Sequence, residues 1–172
     1  MHKRPHDPTN NLRTPDCTCE KCVRCCVYKP GWFIPGEAEQ VADVLGYSLD
    51  TLFHRHLMVD YWVADTNILI LSPATTNGMP GQIFPSNPLG QCGFLTAEQR
   101  CSIHAVKPYE CAVSDCQGSH EELHASIADL WKTQEAQQQI GQLLGDPSPT
   151  IPTPTLSEAL MFFMKGRKDG AS

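Results

Sequence analysis

No apolar run in this sequence approaches the roughly 20 residues that a helix needs to cross a bilayer, so a membrane is not an expected partner. Residues 1–16 are polar and proline-containing and hold nothing like the hydrophobic segment of a secretory signal, which makes the cytoplasm the expected compartment. Positive charge is scarce. Only 13 Lys and Arg stand against 19 Asp and Glu, a formal net charge of −6, and they form no basic stripe. Binding to a phosphate backbone relies on such a stripe, so nucleic acid is not expected as a partner either. There is no Gly-rich phosphate loop, no dinucleotide fingerprint and no nucleophile elbow, which argues against a nucleotide-dependent or serine-dependent reaction. At 172 residues the chain is long enough for one domain with a modest core.

What the sequence does have is cysteine, nine of them in two runs. The first run is Cys17, Cys19, Cys22, Cys25 and Cys26, and the second is Cys92, Cys101, Cys111 and Cys116. In a reducing compartment clustered cysteines read as metal ligands rather than disulfides, and an odd count fits a fully paired framework poorly. The spacing Cys19-x-x-Cys22-x-x-Cys25-Cys26 lets pairs of thiolates converge on one ion. Thiolates favour soft or borderline metals, which points to zinc, iron or an iron–sulfur cluster. Side chains of adjacent residues diverge, so Cys25 and Cys26 are expected to serve different sites or a bridged one. Cys17 lies outside the spacing and is set aside.

The residues between the runs predict a small α+β domain, mainly helical, with short β-hairpins. Residues 1–16 read as a disordered arm, and residues 17–22 onward as a loop that metal would order. Tyr28, Trp32, Phe33 and Ile34 are expected to pack that loop onto the body. Pro35-Gly36 opens a helix to about Leu45, with Ala38, Val41, Val44 and Leu45 on one face and Gly46 as its stop. Ser48 caps a second helix to about Leu57, with His56 on its packed face. Tyr61 to Ala64 and Ile68 to Leu71 predict a hairpin, and Ala74 to Gly90 an irregular loop.

Cys92-Gly93-Phe94-Leu95 and Cys101-Ser102-Ile103-His104 flank a polar turn, as in a short hairpin, and Pro108 suits the first turn of a helix carrying Cys111. That helix has to end before Cys116 if the two are to converge. With both runs in view, the chain resembles the CxxCxxCC cysteine-cluster family, the YkgJ-like zinc- or iron-chelating proteins, over about residues 17–118. The carriers are Cys19-Glu20-Lys21-Cys22-Val23-Arg24-Cys25-Cys26, then Cys92-Gly93-Phe94-Leu95, then Cys101 through Cys111, then Cys116. The family usually has Arg-Pro where this chain has Lys107-Pro108, an Arg where it has Ala112, and an aromatic where it has His104. The resemblance implies metal or cluster binding, and an oxidoreductase role has been proposed for the family. The ligand set is then Cys19, Cys22, Cys25, Cys26, Cys92, Cys101, Cys111 and Cys116. Two separate four-thiolate sites are one arrangement; a centre drawing on both runs is preferred, because the adjacent Cys25-Cys26 pair suits it. His104 is the reserve ligand.

Ser119 is expected to open one long helix to about Leu144, carrying His120-Glu121-Glu122-Leu123-His124, a match to the zincin motif H-E-x-x-H. No third ligand stands at a recognised spacing, and Leu123, Ile127 and Trp131 explain the same face by packing. Gln134, Gln137, Gln138 and Gln139 read as a solvated face. Residues 17–144 form the expected metal-binding domain, 145–155 a Pro-rich connector, and 156–172 a last helix and tail. The function expected is thiolate binding of zinc or an iron or iron–sulfur centre, with redox chemistry as one use of it. The alternative is a metal sensor or chaperone with labile ligands, and a lesser one an HExxH zinc-dependent hydrolase. Enzymatic activity is left open; if present it would be that of a metal- or iron–sulfur-dependent oxidoreductase acting on a substrate or protein partner yet to be identified.

Overall fold

Leu57 is the hinge of the architecture: it ends one helix and begins a strand without an intervening loop. The computed structural model describes residues 24–63, 67–83, 90–114 and 120–149, with the side chains of Arg24, Cys25 and His120 left aside. Cys17, Cys19, Cys22 and Cys116, the N-terminal arm and residues 150–172 lie outside the described residues. The elements are α1 (Arg24–Tyr28), α2 (Glu37–Leu45), α3 (Leu49–His56), β1 (Leu57–Trp62), β2 (Ile68–Pro73), a 3-10 turn (His104–Val106), α4 (Tyr109–Val113), α5 (His120–Trp131) and α6 (Gln134–Leu144). The fold is therefore a small α+β arrangement, six helices around a two-stranded sheet among the described residues.

The sheet is antiparallel, with Leu57 opposite Pro73 and Trp62 opposite Ile68. All six residues of β2 are buried, as its unbroken Ile68-Leu69-Ile70-Leu71 run requires of a strand covered on both faces. Its outer edge is closed by two unlike partners. Phe33 N–H donates to the Leu71 carbonyl at 3.0 Å. The Gln137 amide accepts from Leu69 N–H at 3.1 Å and donates to the Leu69 carbonyl at 2.9 Å, mimicking a neighbouring strand. Gln137 is thus a structural residue, not part of a solvated face. The β1 edge is covered by the chain near Ile83, where Val59 N–H donates to the Gln82 carbonyl at 2.9 Å. Open edges invite pairing with other chains, and both are blocked here.

Local chemistry explains most element ends. Gly46 stops α2 at φ 68°, and the Ser48 hydroxyl caps α3 by accepting from Thr51 N–H. The helix predicted from Ser119 to Leu144 is two helices: Thr133 ends the first run and caps α6, accepting from Ala136 N–H. A side-chain oxygen that competes for backbone donors favours a cap over a helix interior. Val44, expected on the packed face of α2, is 61% exposed, and Ala42 is buried instead. The end of the first cysteine run is helical rather than a loop, as α1. Trp32 and Phe33 are buried as expected, whereas Tyr28 is exposed.

His56 stacks between Tyr47 and Phe94, with ring centroids 5.9 and 5.3 Å away. Burial, helped by Arg55, holds its pKa below the usual 6.5. The fold therefore favours neutral His56, and this contribution is complete above the unfolded pKa and is lost as pH falls through it towards the folded one. His56→Phe keeps the stack and removes the titration. We expect the urea midpoint of the variant to drop less than that of the wild type between about pH 7.5 and 5.5; equal drops would exclude His56 as a contributor.

Candidate metal centre

The two cysteine runs meet through the backbone before they meet through sulfur. Cys92 N–H donates to the Cys26 carbonyl at 2.7 Å, and Gly90 N–H to the Tyr28 carbonyl at 2.7 Å. Cys92 also bridges Thr75, just beyond β2, and Gly93 N–H donates to the Ala74 carbonyl. This pins the start of the second run between α1 and the end of the hairpin. Ser102 N–H then returns to the Phe94 carbonyl, and Leu95 bridges Cys101, so the expected hairpin across Thr96–Arg100 exists as a single bridge. Pro108 precedes α4, which carries Cys111 and ends at Val113, before Cys116. The first donors of α4 are met from afar: Tyr109 N–H donates to the half-buried Glu37 carboxylate of α2, which also accepts from Ile34 N–H.

The side chains follow. Cys26, Cys92 and Cys111 are buried, Cys101 is half-buried, and none of the four is in a disulfide. The Cys26 thiol donates to the Cys101 sulfur. That bond, then burial and the neighbouring charges of Cys111, Cys92 and Cys101, push Cys26 far up. The same bond, with Ile103 N–H and the Lys107 ammonium, outweighs burial and draws Cys101 down to about 7. Cys92 is pushed up to about 11 by burial, against the N–H groups of Phe94 and Leu95, which favour its thiolate.

The donor set suits a thiolate-bound ion. Besides the N–H groups at Cys92 and Cys101, Gly31 N–H donates to the Cys111 sulfur at 3.1 Å. Backbone donors aimed at sulfur stabilise its negative form and fix its direction, as outer partners of metal ligands do. The Thr75 hydroxyl, on the residue bridged to Cys92, is buried without a hydrogen-bond partner and remains a spare donor. Among the described residues, however, no three His, Cys, Asp or Glu side chains already form a cage for an ion. The four sulfurs are neighbours rather than a closed site.

Of the eight sequence-predicted ligands, the structure brings Cys26 from the first run together with Cys92, Cys101 and Cys111 from the second. Cys19, Cys22 and Cys116 lie outside the described residues, as does the side chain of Cys25. His104 is exposed on its 3-10 turn. In the H-E-x-x-H stretch Glu121 is exposed, and His124 Nε2 lies 2.8 Å from Glu110 Oε1.

Sequence reasoning missed the polar network behind Cys111. Glu110 Oε2 accepts from Trp32 N–H at 2.7 Å, and the Trp32 indole N–H donates to Asp60 of β1, also at 2.7 Å. The His124 ring packs against Trp32 at a 39° tilt with centroids 4.6 Å apart, and the Lys29 ammonium sits 4.8 Å from the Trp32 ring centroid. Burial alone would raise the Glu110 carboxyl, but His124, Trp32 N–H and Lys29 together hold it below its usual range. Burial wins at Asp60, which is raised despite Lys29 and its two N–H donors. Neither carboxylate has a spacing that marks it in the sequence; the one available signal was Pro30-Gly31, a turn beside an apolar run.

The comparison with protein families gives one result: the family described as "CxxCxxCC: Putative zinc- or iron-chelating domain" matches residues 18–129, nearly two thirds of the chain. No curated protein and no solved structure matches it.

Proposed function

We propose, since this chain belongs to the CxxCxxCC family of zinc- or iron-chelating domains, that its function rests on one thiolate centre shared by the two cysteine runs. One observation carries this reading: Cys92 N–H of the second run donates to the Cys26 carbonyl of the first at 2.7 Å, which puts the Cys26 side chain where Cys101, Cys92 and Cys111 act on its charge. Two independent finger-like sites would keep these sulfurs apart. In the shared centre Cys26, Cys92, Cys101 and Cys111 hold the ion, and Cys19, Cys22, Cys25 and Cys116 complete eight thiolates, enough for two adjacent ions or a cluster. The metal would draw neighbouring sulfurs into a closed set, so that binding and final ordering are one event.

Thiolate-rich closed sites are ordinarily structural, and a redox role follows if the metal is iron. Elemental analysis with an anaerobic visible spectrum decides between the metals. Stoichiometric zinc in a colourless preparation gives a zinc domain; iron with visible absorbance that dithionite bleaches gives a redox centre. Protein that carries no stoichiometric metal, and takes none when offered zinc or iron anaerobically, would overturn the proposal.

A further inference from the structure

We infer that Glu110 and His124 form a positioning pair that holds the Gly31–Trp32 strap against α4 and so fixes the direction of the Cys111 sulfur. The reasoning starts from how tightly the strap and helix are joined. Gly31 N–H donates to Cys111 Sγ, Trp32 N–H donates to Glu110 Oε2, and Glu110 N–H returns to the Trp32 carbonyl at 3.4 Å. The two donors to α4 side chains are consecutive in sequence, as are their acceptors. If Trp32 shifts, Gly31 N–H shifts with it, and the Cys111 sulfur loses the donor that directs it.

What keeps Trp32 still is Glu110, and what keeps Glu110 still is His124. The carboxylate spends one oxygen on Trp32 N–H and the other on His124 Nε2 at 2.8 Å. Both side chains are largely shielded from water, with 8% and 17% of their side-chain surface exposed, so the contact is not screened away. His124 belongs to α5, which packs on both strands, and its ring lies on Trp32. The indole of Trp32 is tied to β1 through Asp60. The pair thereby connects the body of the domain to a single sulfur, in the manner of outer partners that orient metal ligands. Its service to a bound ion rests on the proposed thiolate centre; its hold on the sulfur does not.

The test compares wild type, His124→Ala and His124→Gln as full-length protein. Glutamine keeps an N–H donor at similar reach. Alkylation by iodoacetamide, read at each cysteine by mass spectrometry, should become about fivefold slower at Cys111 in His124→Ala, because a sulfur that loses its directing N–H donor is less readily the thiolate that reacts. Cys26 and Cys92 should keep their rates, and His124→Gln should restore Cys111. After loading with Zn2+, His124→Ala should also lose zinc faster to a competing chelator, again with rescue by Gln. Acceleration at Cys111, an equal change at every cysteine, or no rescue would mean a merely structural histidine and would overturn the inference. Selective slowing at Cys111 with unchanged zinc release would overturn the role toward metal. A wild type that takes up no zinc would defeat the metal centre itself, and the alkylation pattern would still decide the positioning pair.

Discussion

Gly31→Ala is expected to destabilise the protein by roughly 3–5 kcal/mol, the sum of an overpacked contact and a lost charged hydrogen bond. A Cβ at this position would stand 2.8 Å from Cys111 N, 2.8 Å from Glu110 Cβ and 2.9 Å from Cys111 Sγ. The first of these is backbone, inside α4, and cannot turn aside as a flexible side chain would. The strap must back away, and the bonds to Cys111 Sγ and Glu110 Oε2 lengthen together. For a domain of this size the melting temperature should fall by about 10 °C. Gly46 provides the contrast. It sits at φ 68° with nothing within 4 Å of a built Cβ, so Gly46→Ala meets conformational strain alone, about 1 kcal/mol. A Gly31→Ala variant no less stable than Gly46→Ala would show that the strap is not held against Cys111.

The second large effect concerns metal. If one centre is shared, removing Cys26 or Cys101 damages the same object from two distant segments, although 74 residues separate them at positions 26 and 101. Each single Ala replacement should then abolish most stoichiometric metal binding. A closed site with a missing thiolate loses a ligand and also leaves its neighbours as crowded charges. The Cys26–Cys101 bond makes the coupling direct, because deleting the donor also removes the main influence that draws Cys101 towards its thiolate form.

Much of this arrangement was legible in the residues. Gly46, Ser48 and the apolar run of β2 carry their own local signals, and they mark the elements they form. The cysteine spacing pointed to the family, and residues 18–129 match it. What stayed hidden depends on contacts between distant segments. Nothing near Gln137 indicates that its amide will stand in for a strand beside Leu69. Thr133 lies within a helical pattern, and only its cap on Ala136 shows that the pattern breaks there. His124 was legible as half of a zinc motif, but its Nε2 faces Glu110, a residue marked in the sequence only by the cysteine that follows it. The Trp32 strap binds across 78 positions to Glu110, a pairing that no local periodicity encodes.

The shared centre is tested most directly by a double-mutant cycle on metal content. Metal bound per chain should be measured by elemental analysis in the wild type, Cys26→Ala, Cys101→Ala and the double variant, after anaerobic loading with zinc and, separately, with iron. The account predicts that both single variants lose the same share of metal and that the double variant loses no more than either one. Losses that add in the double variant, each single change removing its own portion, would show two independent sites and contradict a centre built by both cysteine runs.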